Sequence, residues 1–132
     1  MTSRLPADVA LAFVDCINRR DVDGLAALMT ESHSLVVFNE PPLTGRDANR
    51  DAWQGYFTAY PEYLIYPRRI AANGDAVAIM GNTTGSHLGL SDEEELALTL
   101  IWVADVEDGK VSAWRLLEDT AENRAVCSLD VT

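Results

Sequence analysis

Apolar residues near the start of the chain recur at the three- and four-residue intervals of an α-helix. One such face lies in a segment that begins after Pro6 and ends near Arg20, at Val9, Phe13, Cys16 and Ile17. Asp21 is a residue type that caps helices. The helical spacing resumes after it, at Val22, Leu25, Leu28 and Met29. The pattern predicts two helices that form a hairpin.

A short strand and a third helix follow. Segment 34–38 is rich in β-branched and aromatic residues, and Pro41, Pro42 and Gly45 stop it. From about residue 46 a helical stripe returns, at Trp53, Tyr56, Phe57 and Tyr60, and Pro61 closes it. We therefore expect a strand, a turn and a helix.

From residue 63 onwards the apolar pattern changes to the two-residue period of strands. Segments 63–72 and 75–86 are predicted to pair around Asn73-Gly74, which favours a tight hairpin turn. Segments 96–106 and 110–119 are predicted to form a second hairpin, and the acidic stretch 92–95 to be a solvated loop. This order of elements predicts an α+β fold, with helices packed on one face of a curved sheet.

Both faces of the second hairpin are apolar. Leu100 and Trp102 lie on one face of its first strand, and Ile101 and Val103 lie on the other. Because three short helices can cover only one face, we expect the outer face to meet a second copy of the chain. The sequence thus predicts a homodimer.

Size and charge restrict the partners. The 132 residues fit one domain, 1–132, and 10 Lys and Arg against 21 Asp and Glu give a net charge of −11. This charge repels phosphate backbones and anionic lipids, so we expect neither nucleic acid nor a membrane as partner. No apolar run approaches the roughly 20 residues of a membrane span, and Asp8 and Asp15 interrupt the first apolar stretch. We expect a cytoplasmic protein.

Metal and redox chemistry have little support. Two cysteines are too few for a disulfide framework, and the two histidines are far apart in sequence. The chain has no Gly-rich phosphate loop. We expect no metal and no cofactor.

Two segments carry a resemblance to a known family: Asp21-Val-Asp-Gly-Leu25 after the first helix and Lys110-Val-Ser-Ala-Trp-Arg115 after the last turn. With the element order, over about residues 7–119, the chain resembles the nuclear-transport-factor-2-like superfamily. Its SnoaL-like polyketide cyclases and ketosteroid isomerases are the nearest branches. The resemblance implies a cone-shaped fold in which three N-terminal helices and a curved, mainly antiparallel sheet enclose a pocket. That fold hosts isomerases, cyclases, dehydratases, epoxide hydrolases and binding modules, so it does not define the reaction.

Glu40 is the first catalytic candidate. The resemblance places it where ketosteroid isomerases carry their carboxylate base. Independently, strand alternation puts Val36, Phe38 and Glu40 on one face. A carboxylate among apolar groups is poorly hydrated, which favours the proton affinity that a general base needs. The alternative is a solvated residue at the end of the strand, before Pro41.

The resemblance also shows departures from the family's chemistry. The two oxyanion donors of ketosteroid isomerases match Phe13 and Trp102, and the acid on the last strand of epoxide hydrolases and cyclases matches Leu116. Phe13 and Leu116 cannot donate a hydrogen bond, and Trp102 keeps only its indole N–H. Trp102 is therefore the second catalytic candidate.

Three further polar side chains are candidates for ligand binding. His87 is either an acid/base partner or a surface histidine, and Glu118 lies at the pocket mouth or in solvent. Tyr56 belongs to a helical stripe with Trp53 that is first of all core, although its phenol could bind a ligand carbonyl. The expected pocket wall comprises Phe13, Val36, Phe38, Phe57, Ile79, Leu100, Trp102, Trp114 and Leu116. Such a wall selects a flat, apolar polyketide, steroid or terpenoid with one or two oxygen functions.

Two functions remain open from the sequence. The first is a cofactor-independent cyclase or isomerase, in which Glu40 removes a proton next to a carbonyl and Trp102 or a tyrosine supports the oxyanion. The second is a non-catalytic module for ligand binding or dimerisation. The substitutions at positions 13, 102 and 116 favour the second, and a buried Glu40 would favour the first.

Overall fold

The computed structural model describes residues 5–129. Its helices are α1 (Pro6–Asn18), α2 (Val22–Ala27), α3 (Arg46–Ala59), α4 (Asp92–Leu96) and α5 (Ala121–Val126). Its strands are β1 (Met29–Val37), β2 (Leu43–Thr44), β3 (Leu64–Asn73), β4 (Ala76–Thr84), β5 (Leu100–Glu107) and β6 (Lys110–Glu118). The mixed α+β class is confirmed.

The first two helices form at the predicted positions, but α2 ends at Ala27: Leu28 is its C-cap, and Met29, which was predicted to be helical, begins β1. Pro6 occupies the first turn of α1, where its missing N–H costs no hydrogen bond. The Asp21 carboxylate accepts a hydrogen bond from the Gly24 N–H at 2.9 Å and so caps α2. The predicted hairpin is confirmed, and it places the apolar face of α1 against the sheet.

One six-stranded sheet has the order β2-β1-β6-β5-β4-β3. The strands β3 to β6 form an antiparallel meander, as predicted, with Gly74 at φ 62° in the first turn. The strand β1 pairs with β6 in parallel and with the short β2 antiparallel. The sheet is curved and unclosed, because β2 and β3 remain as its edges.

The helices α1 to α3 cover the concave face of the sheet. Phe13 of α1 is fully buried, and its ring lies 4.8 Å from that of Trp114 on β6. Trp102 and Ile79 extend this core along β5 and β4. The main core therefore lies between the helices and the concave face.

The outer face carries a second apolar cluster, and residues 121–129 cover part of it. Leu129 is fully buried there with Ile101 and Val103. The carbonyl oxygen of Leu129 accepts a hydrogen bond of 2.6 Å from Arg69 on β3. This cover was not predicted from the sequence. A homodimer through the outer face, which stays a prediction, would pack beside residues 121–129.

The segment between the two hairpins was predicted wrongly. Residues 92–95 form most of the helix α4 instead of a loop, because Ser91 and Glu94 make a reciprocal capping box at its start. The strand β5 consequently begins at Leu100, not at residue 96. Within residues 5–129, no helix combines the length and apolar character needed to cross a membrane.

Candidate functional site

An open cavity of about 220 Å³ lies between α3 and the concave face of the sheet. Its lining comes from β1, α3, β5, β6 and the two connections that flank β3 and β4, and comprises Leu35, Val37, Ala52, Trp53, Tyr56, Tyr63, His87, Trp102, Trp114 and Leu116. Five of these ten side chains are Trp or Tyr, and none is Asp, Glu, Lys or Arg. The cavity is thus an aromatic and aliphatic pocket with a small number of hydrogen-bonding groups.

Tyr56 and His87 form the only side-chain pair joined by a hydrogen bond among the lining residues that the structure describes. The Tyr56 hydroxyl lies 2.9 Å from Nδ1 of His87, and the backbone N–H of His87 donates to the same hydroxyl oxygen at 3.3 Å. Tyr56 is half-buried, whereas His87 is exposed. The pair therefore lies between the apolar interior of the cavity and the solvent.

The loop that carries His87 is held in place from two sides. Gly85 adopts φ 70°, and a Cβ there would come within 2.5 Å of the Glu62 carbonyl oxygen, so only glycine fits this approach. On the other side, the Glu95 carboxylate accepts hydrogen bonds from the Thr83 hydroxyl and from the Ser86 N–H at 3.4 Å. These contacts fix the backbone directly before His87.

Glu95 itself is unusual because its side chain is only 1% exposed. Within residues 5–129, no Lys or Arg forms an ion pair with it. Buried carboxylates are costly unless hydrogen bonds satisfy them. Glu95 therefore serves as an anchor between α4, β4 and the His87 loop.

Burial keeps the cavity phenols neutral. Desolvation raises the pKa of Tyr56, and it raises that of the buried Tyr63 much further. The negative charge of Glu95 acts in the same direction on both residues. Tyr56 is consequently a hydrogen-bond donor, not a phenolate, at neutral pH.

Five of the residues predicted for the site line the cavity: Tyr56, His87, Trp102, Trp114 and Leu116. Three others, Phe13, Phe57 and Ile79, are buried in the core behind the wall. Leu100 is half-buried and packs against that core. Trp102 is only 2% exposed, and it shares the cavity wall with Tyr56.

The placement expected for Val36, Phe38 and Glu40 is wrong. Leu35 and Val37, not Val36, face the cavity, and β1 ends at Val37. Phe38 then turns the chain with φ 50° and is 39% exposed, and Glu40 is exposed in that turn. Side chains alternate between the two faces of a strand, so a prediction that picks the wrong inward face misplaces every residue of the set. Glu40 consequently lacks the apolar surroundings that were expected.

Glu118 also lies away from the cavity. It lines a separate, more polar groove of about 250 Å³, together with Phe38, Asn39, Leu117 and Asn123. Its backbone carbonyl accepts a hydrogen bond from the Asn123 amide at 2.8 Å. The structure therefore brings Phe38 and Glu118 together, but outside the aromatic cavity.

Sequence reasoning missed Leu35, Val37, Ala52, Trp53 and Tyr63 as lining residues. The helical spacing did reveal Trp53, which shares a face with Tyr56, although it was interpreted as core. The sequence does not show which face of β1 points inward. Leu35 and Val37 would have been predicted only if the face opposite to Val36 had been taken as the inner one.

Comparisons with known proteins agree with this fold. The model of the SnoaL-like domain matches residues 10–114, so the chain belongs to the SnoaL-like family, within the nuclear-transport-factor-2-like fold. The resemblance proposed from the sequence is confirmed. No curated protein matches the chain.

Solved structures show the same fold at low sequence identity. An uncharacterised cystatin-fold protein from Novosphingobium aromaticivorans is 19% identical with a TM-score of 0.74, over 89% of this chain and 100% of that one. A putative polyketide cyclase from Sinorhizobium meliloti is 19% identical with a TM-score of 0.68, over 83% and 93%. A putative ketosteroid isomerase from Kribbella flavida is 24% identical with a TM-score of 0.65, over 86% and 76%.

Proposed function

We propose that the protein is a cofactor-independent enzyme of the isomerase or cyclase type, which moves a proton next to a carbonyl group. The observation that carries this proposal is the contact of 2.9 Å between Tyr56 and His87 at an apolar cavity. A hydrogen-bond donor and a base at one wall of a pocket are the two groups that enolisation needs.

One histidine tautomer gives both groups their roles. If Nδ1–H of His87 donates to the Tyr56 oxygen, as the backbone N–H does, the phenolic hydrogen is free to bind a ligand carbonyl. The other ring nitrogen, Nε2, then has a lone pair to accept a proton. In the opposite tautomer the phenol donates to Nδ1, and the base is lost.

In the proposed reaction, His87 Nε2 takes a proton from the carbon next to the carbonyl. The electron pair of that C–H bond forms the enolate, whose oxygen accepts the hydrogen bond of Tyr56. Trp102, in the same wall, provides an indole for the developing anion. Return of the proton from Nε2 to another carbon completes an isomerisation with no external reactant.

The test uses cyclohex-3-enone, whose conversion to the conjugated cyclohex-2-enone moves one proton. We expect wild-type protein to accelerate both this conversion and the exchange of the α-hydrogens in D₂O, followed by NMR. His87→Gln should lower the rate about 100-fold or more, and Tyr56→Phe by a similar factor. Glu40→Gln, which changes an exposed carboxylate outside the cavity, is the matched control and should keep the wild-type rate.

Equal rates in wild type and His87→Gln would refute the assignment of the base. If the enone binds but the wild-type protein accelerates neither process, the enzyme proposal is overturned in favour of a non-catalytic ligand-binding module. Two points favour that second candidate. The cavity lining contains no carboxylate, and the resemblance matches Leu116 to the acid that epoxide hydrolases and cyclases of this fold carry.

A further inference from the structure

Aromatic rings dominate the wall of the cavity. All three tryptophans of the chain, Trp53, Trp102 and Trp114, line it together with Tyr56 and Tyr63. Trp53 and Tyr56 belong to α3, whereas Trp102 and Trp114 belong to β5 and β6, so rings lie on the helix side and on the sheet side of the space. The face of an aromatic ring attracts cations, and that of Trp attracts them most. The wall is thus suited to a positive charge, and the lining contains no Lys or Arg to supply one.

A buried carboxylate lies beside this wall without a positive partner. Glu95 is 1% exposed, and it accepts hydrogen bonds from the Thr83 hydroxyl and from the N–H of Ser86, the residue before His87 in the lining. In the part of the chain that the structure describes, no Lys or Arg forms an ion pair with Glu95. Buried charges in proteins are usually paired, so an opposite charge is missing here.

The charge of Glu95 acts on the cavity wall. Burial is the main cause that raises the pKa of Tyr56 and of Tyr63, and the negative charge of Glu95 raises both pKa values further. Both phenols line the cavity, so a bound molecule lies in the same electrostatic field. This field and the net charge of −11 favour a cation over an anion.

Size and hydrogen bonding narrow the kind of cation. The volume of 220 Å³ compares with about 150 Å³ for an engineered cavity that holds benzene, so it accommodates a trimethylammonium group with a short substituent. A primary ammonium group would need an acceptor for each of its N–H groups, and the lining has no carboxylate. A quaternary ammonium group has no N–H and therefore leaves no donor unpaired in an apolar wall.

We infer that the cavity binds a small quaternary ammonium compound, held by the faces of its Trp and Tyr rings and by the negative charge of Glu95. The inference goes beyond the proposed reaction, because it concerns the charge of the bound molecule. It assigns Glu95 as a residue that determines which molecules bind, through its charge and not by contact.

Choline and 3,3-dimethylbutan-1-ol test the inference, because they have the same shape and differ in the charge of one atom. Calorimetry measures the affinity of the wild-type protein for each compound. We expect choline to bind about tenfold more tightly, the effect of a partly desolvated contact between a cation and aromatic rings. Tighter or equal binding of the neutral alcohol would overturn the inference, because an apolar pocket without these attractions prefers the less strongly hydrated compound. Binding of neither compound at millimolar concentration would overturn it as well.

Two charge variants separate the effect of Glu95 from that of the net charge. Glu95→Gln removes the buried charge and keeps an oxygen that accepts a hydrogen bond, so the affinity for choline should fall about three- to tenfold and that for the alcohol should stay the same. Glu93→Gln removes the same charge from an exposed position of α4 and is the matched control, which should keep the wild-type affinities. Equal losses in the two variants would overturn the role of Glu95.

Fluorinated tryptophan provides a measurement that does not depend on a folded Glu95 variant. Because all three tryptophans line the cavity, protein produced with 5-fluorotryptophan is changed only at these rings. Fluorine withdraws electrons from the ring face, so the affinity for choline should fall about two- to fivefold while that for the alcohol is kept. An unchanged affinity for choline would refute the contact with the rings. Choline has no carbonyl group, so these results are distinct from a failure of proton exchange at His87.

Discussion

Thr83 donates its hydroxyl hydrogen to the buried carboxylate of Glu95, across the contact between β4 and α4. The neighbouring residue, Thr84, makes a hydrogen bond of a different kind, because its hydroxyl lies 3.0 Å from the neutral hydroxyl of Tyr66. Both threonines are buried at the end of the same strand. They thus provide a matched pair for measuring what the Glu95 anchor contributes.

Thr83→Val should destabilise the protein more than Thr84→Val. Hydrogen bonds to charged groups contribute about 1.5–3 kcal/mol, whereas neutral ones contribute about 0.5–1.5 kcal/mol. The free energy of unfolding in urea measures both losses. Equal losses for the two variants would show that Glu95 is not the anchor of the His87 loop.

Local patterns explain why the framework could be predicted from sequence. The spacing of Phe13 and Ile17, the cap at Asp21 and the turn at Gly74 each depend on a few neighbouring residues, and the structure has all of them. The outer face is different, because its cover at Leu129 comes from a segment with a weak pattern. Its burial depends on contacts with residues far away in sequence.

The site was less predictable because it depends on which strand face turns inward. Alternation along β1 fits either Val36 or its neighbours Leu35 and Val37, and sequence alone does not decide between them. The contact of Tyr56 with His87 joins residues 31 positions apart. Tyr56 and His87 were each candidates from the sequence, but no local signal indicated that the two side chains are in contact.

His33 should make the stability of the protein depend on pH. It is fully buried, and its Nδ1 lies 2.7 Å from the Val111 carbonyl oxygen, which can only accept, so Nδ1 carries the proton. The other ring nitrogen, Nε2, has no partner, and desolvation lowers the pKa of His33. Protonation of Nε2 would therefore bury a charge with no acceptor.

Below about pH 6.5, the ordinary pKa of histidine, the unfolded chain binds a proton at His33 that the folded chain does not. The contribution of His33 to the free energy of unfolding therefore decreases as the pH falls, by at most about 1.4 kcal/mol per pH unit. Urea unfolding at pH 7.5 and 5.5 measures it. His33→Gln should remove this part of the pH dependence, while His87→Gln, at the exposed second histidine, should keep it. If the free energy of unfolding of His33→Gln changed with pH as much as that of the wild type, His33 would not be the source of this pH dependence.

Leu129 should stabilise the fold from the outer face of the sheet. Because its side chain is fully buried in the outer cluster, Leu129→Ala should cost about 2–5 kcal/mol of unfolding free energy. Val126 is 77% exposed on the same segment, so Val126→Ala should change stability by less than about 0.5 kcal/mol. Similar values for the two variants would mean that residues 121–129 do not hold the outer face in solution.

The homodimer predicted from the two apolar sheet faces can be tested directly by measuring the molecular mass in solution. Light scattering at micromolar concentration should give a mass twice the 14.5 kDa of one chain. Met80 on β4, which packs in the outer cluster, and the cover around Leu129 would lie at such an interface. A mass of one chain would leave the intramolecular cover as the sole partner of this face.

Two glycines should respond to alanine in opposite directions. At Gly81 on β4, a Cβ would come within 2.2 Å of the Tyr66 carbonyl oxygen, and the atoms in its way belong to the backbone of β3. The two strands would have to separate at their pairing irregularity between Pro67 and Arg69, so Gly81→Ala should cost about 1–3 kcal/mol. At Gly55 in α3, by contrast, nothing lies within 4 Å of an added Cβ. Gly55→Ala should stabilise the protein by about 0.5–1 kcal/mol, because glycine is less favourable than alanine inside a helix. Urea unfolding of both variants measures the difference, and a stabilising Gly81→Ala would show that β3 and β4 are not in contact at this position.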